Sequence, residues 1–105
     1  MTTATPVLEP RQAIRTAPLW NVVLVNDDDH TYEYVIEMLG KVFGHSKDKA
    51  LLMALEVDTL GRVIVDTTSK ERAELKQEQV HAYGPDPRIP RSAGSMTAEL
   101  EPCEG

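Results

Sequence analysis

Several kinds of residue and motif are scarce in this sequence, and each shortage excludes a class of protein. The 105 residues include a single cysteine, Cys103, which rules out an internal disulfide and a metal site built on cysteines. No apolar run approaches the ~20 residues that a membrane-spanning helix needs. Residues 1–16 lack the apolar core of a signal peptide, so we expect a cytoplasmic protein without a membrane partner.

Basic residues are also outnumbered, with 11 Lys and Arg against 17 Asp and Glu and a formal net charge of −6. Phosphate contacts require a basic surface, so this composition argues against a nucleic-acid partner. It favours basic or amine-bearing partners, although acidity also serves solubility. The sequence shows no extra apolar face, and we expect a monomer.

Catalytic and metal-binding motifs are missing as well. The sequence has no nucleophile elbow, no glycine-rich phosphate loop and no pair of histidines at ligand spacing. An EF-hand reading of residues 26–37 fails because Thr31 stands where the turn glycine is required. We therefore expect no enzymatic activity, no cofactor and no metal. One alternative stays open, a hydrolase that uses Asp28, His30 and Asp58.

The spacing of the apolar residues predicts one small α+β domain. The expected order is β-α-α-β-α-β, a three-stranded antiparallel sheet with three helices on one face. Strands are predicted at 21–25, 62–67 and 96–100, and helices at about 31–43, 47–58 and 69–83. Residues 1–17 are predicted to be a flexible arm, residues 18–101 the core domain and residues 102–105 a tail.

The predicted helices carry capping signals. We expect His30 or Thr31 to cap the first helix and Ser46 the second, and Thr68 with Glu71 fits a capping box for the third. The apolar face expected for the second helix comprises Ala50, Leu51, Met53, Ala54, Leu55 and Val57. The few apolar contacts expected for the third helix include Ala73, Leu75 and Val80.

The most informative segment is a four-residue apolar run at 22–25 that ends in an amide, three carboxylates and an imidazole at 26–30. Because the run predicts a buried strand, these groups should meet at one point of the surface, where the first helix begins. Asn and Asp are common in turns and at helix N-termini, which explains a lone pair of them but not this run. Such a group of acceptors suits a cation or a protonated amine.

Asp58 adds a carboxylate near the end of the second helix, where the macrodipole makes a negative charge unfavourable. If the first two helices pack together, Asp58 lies at the rim of the groove between them, within reach of Asn26 and Asp28. An apolar hole with acceptors on its rim would hold an apolar side chain whose own backbone amine is protonated.

These residues resemble those of the ClpS family, small adaptors that deliver substrates to AAA+ Clp proteases. The similarity covers residues 19–101 and rests first on the motif Leu-Val-Asn-Asp-Asp at 24–28. It extends to Glu33-Tyr34-Val35, Ala50, Val57, Gly61, Glu71, Glu74 and Lys76. The resemblance implies an adaptor that binds destabilising N-terminal residues (N-degrons) of the bulky hydrophobic type. It also implies delivery of the substrates to a Clp ATPase, of the ClpA or the ClpC type.

The resemblance also implies roles for single residues. The expected α-amine site comprises Asn26, Asp27, Asp28, His30 and Asp58, in which Asp28 acts through water and Asp27 supports the loop. The expected side-chain pocket comprises Tyr32, Val35, Met53, Ala54, Val57 and Met96. Glu71 and Lys76 correspond to the surface that contacts the ATPase. The arm before Pro18 corresponds to the family's N-terminal extension, which modulates the ATPase.

Several positions depart from the usual ClpS pattern. Asp58 replaces a histidine that contacts the amine, His30 replaces a threonine, and Tyr32 replaces the methionine that gates the pocket. Ala54 replaces a methionine of the pocket wall. The smaller side chain widens the pocket, which should then admit Leu, Ile or Val besides aromatic residues, although the Tyr32 ring could refill part of the added space. The loop before Met96 is longer than usual. A second interpretation stays open, in which degron binding is lost and the domain only docks on or regulates a Clp ATPase.

Overall fold

The computed structural model describes residues 18–103, so the predicted arm at 1–17 and residues 104–105 of the predicted tail lie outside it. Within this range the elements follow the predicted α+β order, β-α-α-β-α-β. They are β1 (Leu19–Val25), α1 (Tyr32–Phe43), α2 (Lys47–Leu60), β2 (Arg62–Ser69), α3 (Lys70–His81) and β3 (Thr97–Pro102). No helix in this range is both long and apolar enough to cross a membrane.

β1 is the central strand of the sheet, whose order is β2-β1-β3, and both neighbours run antiparallel to it. Val22, Val23 and Leu24 are fully buried. Side chains alternate along a strand, so Val22 and Leu24 enter the core under the helices and Val23 points to the other face. On that face Arg62 and Glu101 form an ion pair of 2.6 Å across β1. β1 therefore ends at Val25, beside the helices that it supports, and Asn26 follows it.

β2 contains a bulge at Val65, because its pairing with β1 shifts between Val22 and Val23. The side chain of Val65 is buried. Its carbonyl accepts a hydrogen bond of 2.7 Å from Nε2 of His45, in the turn between α1 and α2. The bulge thus ties the sheet to the junction of the first two helices.

The helices cover one face of the sheet, as predicted. α1 packs against α2, α2 lies over β2, and α3 lies over β1 and β3. The residues that the helices bury are Tyr34, Val35, Met38 and Leu39 of α1, Ala50, Ala54 and Val57 of α2, and Ala73 and Val80 of α3. The small residues of α2 let its axis approach α1 and the sheet closely, which leaves a groove where no long side chain fills the contact.

Two helices are capped as predicted and the third is not. Thr31 and Ser46 are the N-caps of α1 and α2. The predicted cap Thr68 is wrong: α3 is capped by Ser69, whose Oγ accepts a hydrogen bond from the Arg72 N–H. Pairing with β1 continues to Ser69, so Thr68 belongs to β2 and α3 begins one residue later than expected.

Three leucines predicted to be buried are exposed instead. The exposed fractions of Leu51, Leu55 and Leu75 are 40%, 42% and 48%. A helix in a two-layer domain buries only one side, and α2 uses Ala50, Ala54 and Val57 for it. β3 also differs from its prediction, since it begins at Thr97 and takes in Pro102, which was assigned to the tail.

Candidate functional site

A pocket of about 180 Å³ opens between the start of α1 and the last turns of α2. Its apolar floor is buried and comes from three parts of the chain: Val35, Ala54, Val57 and Met96. Its polar rim is Asn26, Asp27, Asp28, His30, Tyr32 and Asp58. The pocket thus brings together all the residues predicted for the α-amine site and the side-chain pocket except Met53, which is half-buried, packs against the core and is not part of the lining.

The floor follows from helical spacing and from the size of Ala54. Ala54 and Val57 are three residues apart on α2, so both face Val35 of α1. Met96, just before β3, closes the fourth side and is 2% exposed. Because Ala54 carries only a methyl group, the contact between the two helices leaves room for an apolar side chain.

Asp27 and His30 hold each other at the rim. Nδ1 of His30 lies 2.6 Å from Oδ1 of Asp27, and its Nε2 lies 2.7 Å from the carbonyl oxygen of Gly94. Each ring nitrogen therefore faces an oxygen atom of the chain. Asp27 also accepts a hydrogen bond of 2.9 Å from the Asp29 N–H. His30 therefore shapes the rim and has neither nitrogen left for a ligand.

This arrangement weighs against the hydrolase alternative. A general base needs an unoccupied lone pair directed at the substrate, and both nitrogens of His30 are engaged by Asp27 and Gly94. Across residues 18–103, no three side chains of His, Cys, Asp or Glu are arranged to hold a metal ion.

Asp29 faces away from the pocket and is paired with Arg91. Nε of Arg91 donates to Oδ1 of Asp29 at 2.7 Å, and Nη2 donates to the main-chain oxygen of Asp28 at 2.7 Å. The carboxylate of Asp28 is exposed and has no side-chain partner within residues 18–103. Asp29 is thus neutralised by a cation of the chain, and Asp28 keeps its negative charge at the rim.

Tyr32 and Asp58 join the two helices across the mouth of the pocket. The Tyr32 hydroxyl, at the first residue of α1, donates to Oδ2 of Asp58 in the last turn of α2 at 2.6 Å. This hydrogen bond, with desolvation and the charge of Asp58, raises the pKa of Tyr32, so the hydroxyl remains a donor at neutral pH. Tyr32 therefore orients the Asp58 carboxylate without cancelling its charge.

The charges of the rim divide into two groups. Asp27 faces the His30 imidazole and Asp29 faces the Arg91 guanidinium. Asp28 and Asp58 line the pocket, and their carboxylates face no cation within the described residues. Asn26 also lines the pocket just after β1, and its main-chain N–H donates to the Gly61 carbonyl at 3.0 Å. An apolar pocket with two uncompensated carboxylates at its mouth suits an ammonium ion that carries an apolar group.

The sequence predicted a long loop before Met96 but not its contacts. This loop, at 84–96 and called the strap below, lies against the start of α1. Asp86, near the start of the strap, has a fully buried side chain. Oδ2 of Asp86 accepts from the Thr31 N–H at 2.7 Å and from the Thr31 hydroxyl at 2.8 Å. Oδ1 accepts from the N–H and the guanidinium of Arg88 at 2.9 and 3.2 Å. Burial by itself would raise the pKa of Asp86, but these hydrogen bonds outweigh it and lower the pKa to about 2.

The strap is fixed to α1 at a further point, since the buried Tyr34 donates to the Gly84 carbonyl at 2.6 Å. The signals that could have revealed the strap are charge and composition. Asp86 stands between two prolines, and Arg88 and Arg91 are basic residues in a loop of a mostly acidic chain. Their spacing alone gives no reason to place them against residues 26–31.

The two residues expected to contact an ATPase lie on α3. Glu71 is exposed in the first turn. Lys76 is half-buried, and its Nζ donates to the Val42 carbonyl of α1 at 2.6 Å. Lys76 therefore also completes the C-terminal end of α1.

The chain is similar to known proteins in sequence and in structure. Residues 15–88 match the family model described as ATP-dependent Clp protease adaptor protein ClpS. The chain is 36% identical over 75 residues to the ATP-dependent Clp protease adapter protein ClpS of Methylococcus capsulatus, and the matched region covers 71% of each chain. It is 41% identical over 64 residues to the protein of the same name from Desulforapulum autotrophicum, covering 61% of this chain and 62% of that one.

The structural comparison covers most of both molecules. The structure of Agrobacterium tumefaciens ClpS2 bound to L-phenylalaninamide matches with a TM-score of 0.70 and 26% sequence identity. The match covers 82% of this chain and 98% of that one.

Proposed function

This chain belongs to the ClpS family of Clp protease adaptors, and we propose that its pocket binds the first residue of a substrate protein by its side chain and its α-ammonium group. The observation that carries the proposal is the pairing of a buried apolar floor with two carboxylates, Asp28 and Asp58, that face no cation within the described residues. The chain is thus an adaptor that binds N-degrons of the bulky hydrophobic type for delivery to a Clp protease.

The ligand of the similar structure supports this kind of recognition. L-phenylalaninamide has a free α-amine, an apolar side chain and an amide in place of the carboxylate. It therefore has the chemistry of the first residue of a peptide. In this chain the side chain of such a residue would contact Val35, Ala54, Val57 and Met96.

The residues of the rim take different roles in the proposal. Asp28 and Asp58 bind the ammonium group, Asp28 through water, and the Asn26 amide accepts a further hydrogen bond from it. Each charge-assisted hydrogen bond contributes about 1.5–3 kcal/mol, similar to the burial of one apolar side chain. Asp27 and His30 support the turn that carries these groups. An acetylated N-terminus has no charge and only one N–H group, so it should not bind.

Delivery requires a second surface, and we infer that Glu71 and Lys76 of α3 contribute to contact with a ClpA- or ClpC-type ATPase. The adaptor would act by binding alone, without a catalytic step of its own, as a monomer in the cytoplasm. Residues 1–17 would modulate the ATPase.

The proposed function is tested by equilibrium binding to peptides that differ only in residue one. The set is Phe, Trp, Tyr, Leu, Ile, Val, Arg and Ala, each with an acetylated control. Binding that requires both an apolar first residue and a free amine supports the proposal. If no peptide binds while the chain still associates with a Clp ATPase, its function is docking or regulation of that ATPase.

Ala54 should set how much branching the pocket accepts. In Ala54→Met the added bulk should weaken binding of Ile and Val peptides about tenfold or more, since overfilling a packed site costs about 1–3 kcal/mol, and should spare Leu and Phe peptides. Fluorescence anisotropy with the four peptides measures the ratio. Leu52→Met, on the exposed side of the same helix, is the control and should leave all four affinities unchanged. An equal loss for all four in Ala54→Met would mean that Ala54 is only a core residue.

A further inference from the structure

Arg91 links the strap to the turn that carries the rim carboxylates. Its Nε donates to Oδ1 of Asp29 at 2.7 Å and its Nη2 donates to the main-chain oxygen of Asp28 at 2.7 Å. The guanidinium is a rigid planar fork, so its contacts with the Asp28 carbonyl and the Asp29 carboxylate together hold the peptide that follows Asp28 in one orientation. The Asp28 side chain leaves the Cα next to this peptide, so its direction depends on that orientation.

The support from which Arg91 extends is itself fixed, although its own side chain is 68% exposed. On one side of it Asp86 binds Thr31, and on the other the Gly94 carbonyl contacts Nε2 of His30 at 2.7 Å. The ring of His30 is buried, with 3% of its side chain exposed. The strap therefore meets the turn at 28–31 through three residues, Asp86, Arg91 and Gly94, and none of them lines the pocket.

We propose that Arg91 is a positioning residue for recognition of the ammonium group, holding the turn so that the Asp28 carboxylate faces the mouth of the pocket. The inference rests on the function proposed above. Arg91 does not touch the substrate in this arrangement and acts through Asp28 and Asp29. The ligand class is the protonated α-amine of a peptide that has an apolar first residue.

A positioning role and a simple charge effect predict opposite changes in peptide affinity when Arg91 is replaced by alanine. Arg91 is a cation close to a site for a cation, so its charge alone disfavours ammonium binding. On charge alone, Arg91→Ala should bind a free-amine peptide more tightly than the wild type. If Arg91 positions Asp28, the same variant should bind more weakly, because the turn loses both contacts.

The experiment measures the affinity of the wild type, Arg91→Ala, Asp29→Ala and the double variant for a Leu peptide with a free amine and for its acetylated form. Positioning predicts that Arg91→Ala binds about five- to tenfold more weakly than the wild type and that Asp29→Ala binds more weakly by no more than that. The double variant should be no weaker than Arg91→Ala, because the contact with Asp29 is one of the two that Arg91→Ala already removes. Arg91→Lys keeps the charge and loses the fork, so it should fall between the wild type and Arg91→Ala.

The matched control is Arg62→Ala, which removes a guanidinium from an ion pair with Glu101 on the face of the sheet that carries no helices. It should bind within about twofold of the wild type, because surface ion pairs are weak and neither Arg62 nor Glu101 lines the pocket. Arg91→Ala should have the same melting temperature as this control. Affinity of Arg91→Ala equal to or above that of the wild type would overturn the inference, and so would a double variant that recovers wild-type affinity. Failure of the wild type itself to bind any free-amine peptide would instead overturn the proposed function.

Discussion

The substitution Asp58→Asn should weaken binding of a peptide with an apolar first residue and a free amine by about 10–100-fold, since a charge-assisted hydrogen bond contributes about 1.5–3 kcal/mol. The asparagine has nearly the same shape and keeps an oxygen that accepts from the Tyr32 hydroxyl. The loss therefore reports the negative charge itself. Isothermal titration calorimetry with the free and acetylated peptides measures it.

The same substitution should leave stability almost unchanged. Asp58 lies in the last turn of α2, where a negative charge is unfavourable by about 0.3–1 kcal/mol, so its removal offsets the weaker hydrogen bond from Tyr32. Glu56→Gln is the matched control, because it removes one charge from the same helix about half a turn away, on the exposed side. It should change affinity by less than about twofold. Unaltered affinity in Asp58→Asn would remove Asp58 from the site.

The substitution Asp86→Asn should lower the free energy of unfolding by about 2–4 kcal/mol, the usual effect of disturbing a buried charged network. Asp86 receives two hydrogen bonds on each oxygen, from Thr31 on one side and Arg88 on the other. An amide has only one oxygen, so its NH₂ group would face donors on one side. Urea denaturation at neutral pH measures the difference.

The pH dependence of the difference in free energy of unfolding between the wild type and Asp86→Asn identifies the Asp86 carboxylate as its source. The pKa of Asp86 falls from 3.8 to about 2 on folding, which corresponds to on the order of 2 kcal/mol. Because the folded pKa is the lower one, this stabilisation is complete above pH 3.8 and is lost as the pH falls through about 2. The gap between wild type and Asp86→Asn should therefore narrow over that range. Asp66→Asn is the control, since its single hydrogen bond from the Thr67 N–H needs only one oxygen. If the stability difference between the wild type and Asp86→Asn does not change with pH, the loss of stability comes from packing and not from the charge of Asp86.

The parts of the site that could be predicted from the sequence are those set by local periodicity. The side chains of the run at 22–25 are buried on both faces of the sheet because β1 is the central strand. The residue after this run, Asn26, is the first residue of the rim. Val35 and Val57 follow from the stripes of two adjacent helices, and the caps Thr31 and Ser46 follow from their side-chain chemistry. The confirmed fold class and the groove between α1 and α2 depend on these features alone.

The parts that could not be predicted depend on contacts between distant segments. The sequence shows consecutive aspartates that look equivalent, and only the strap distinguishes Asp29, whose carboxylate pairs with Arg91, from Asp28, whose carboxylate does not. These partners are 62 residues apart, and no periodicity relates a loop to a turn over that distance. The exposure of Leu51 and Leu55 has the same origin, because the side of α2 that is buried is decided by α1 and β2.

Helix α1, which forms one wall of the pocket, is anchored at both ends by side chains from other elements. Asp86 accepts from the Thr31 N–H before its first turn, and Lys76 donates to the Val42 carbonyl in its last turn. The terminal turns of most helices fray because their outermost peptide groups lack such partners. In α1 fraying is opposed at both ends, so this wall of the pocket does not open by unwinding. The part of this wall that can move within nanoseconds is then the exposed Tyr32 side chain, while the backbone of the wall stays in place.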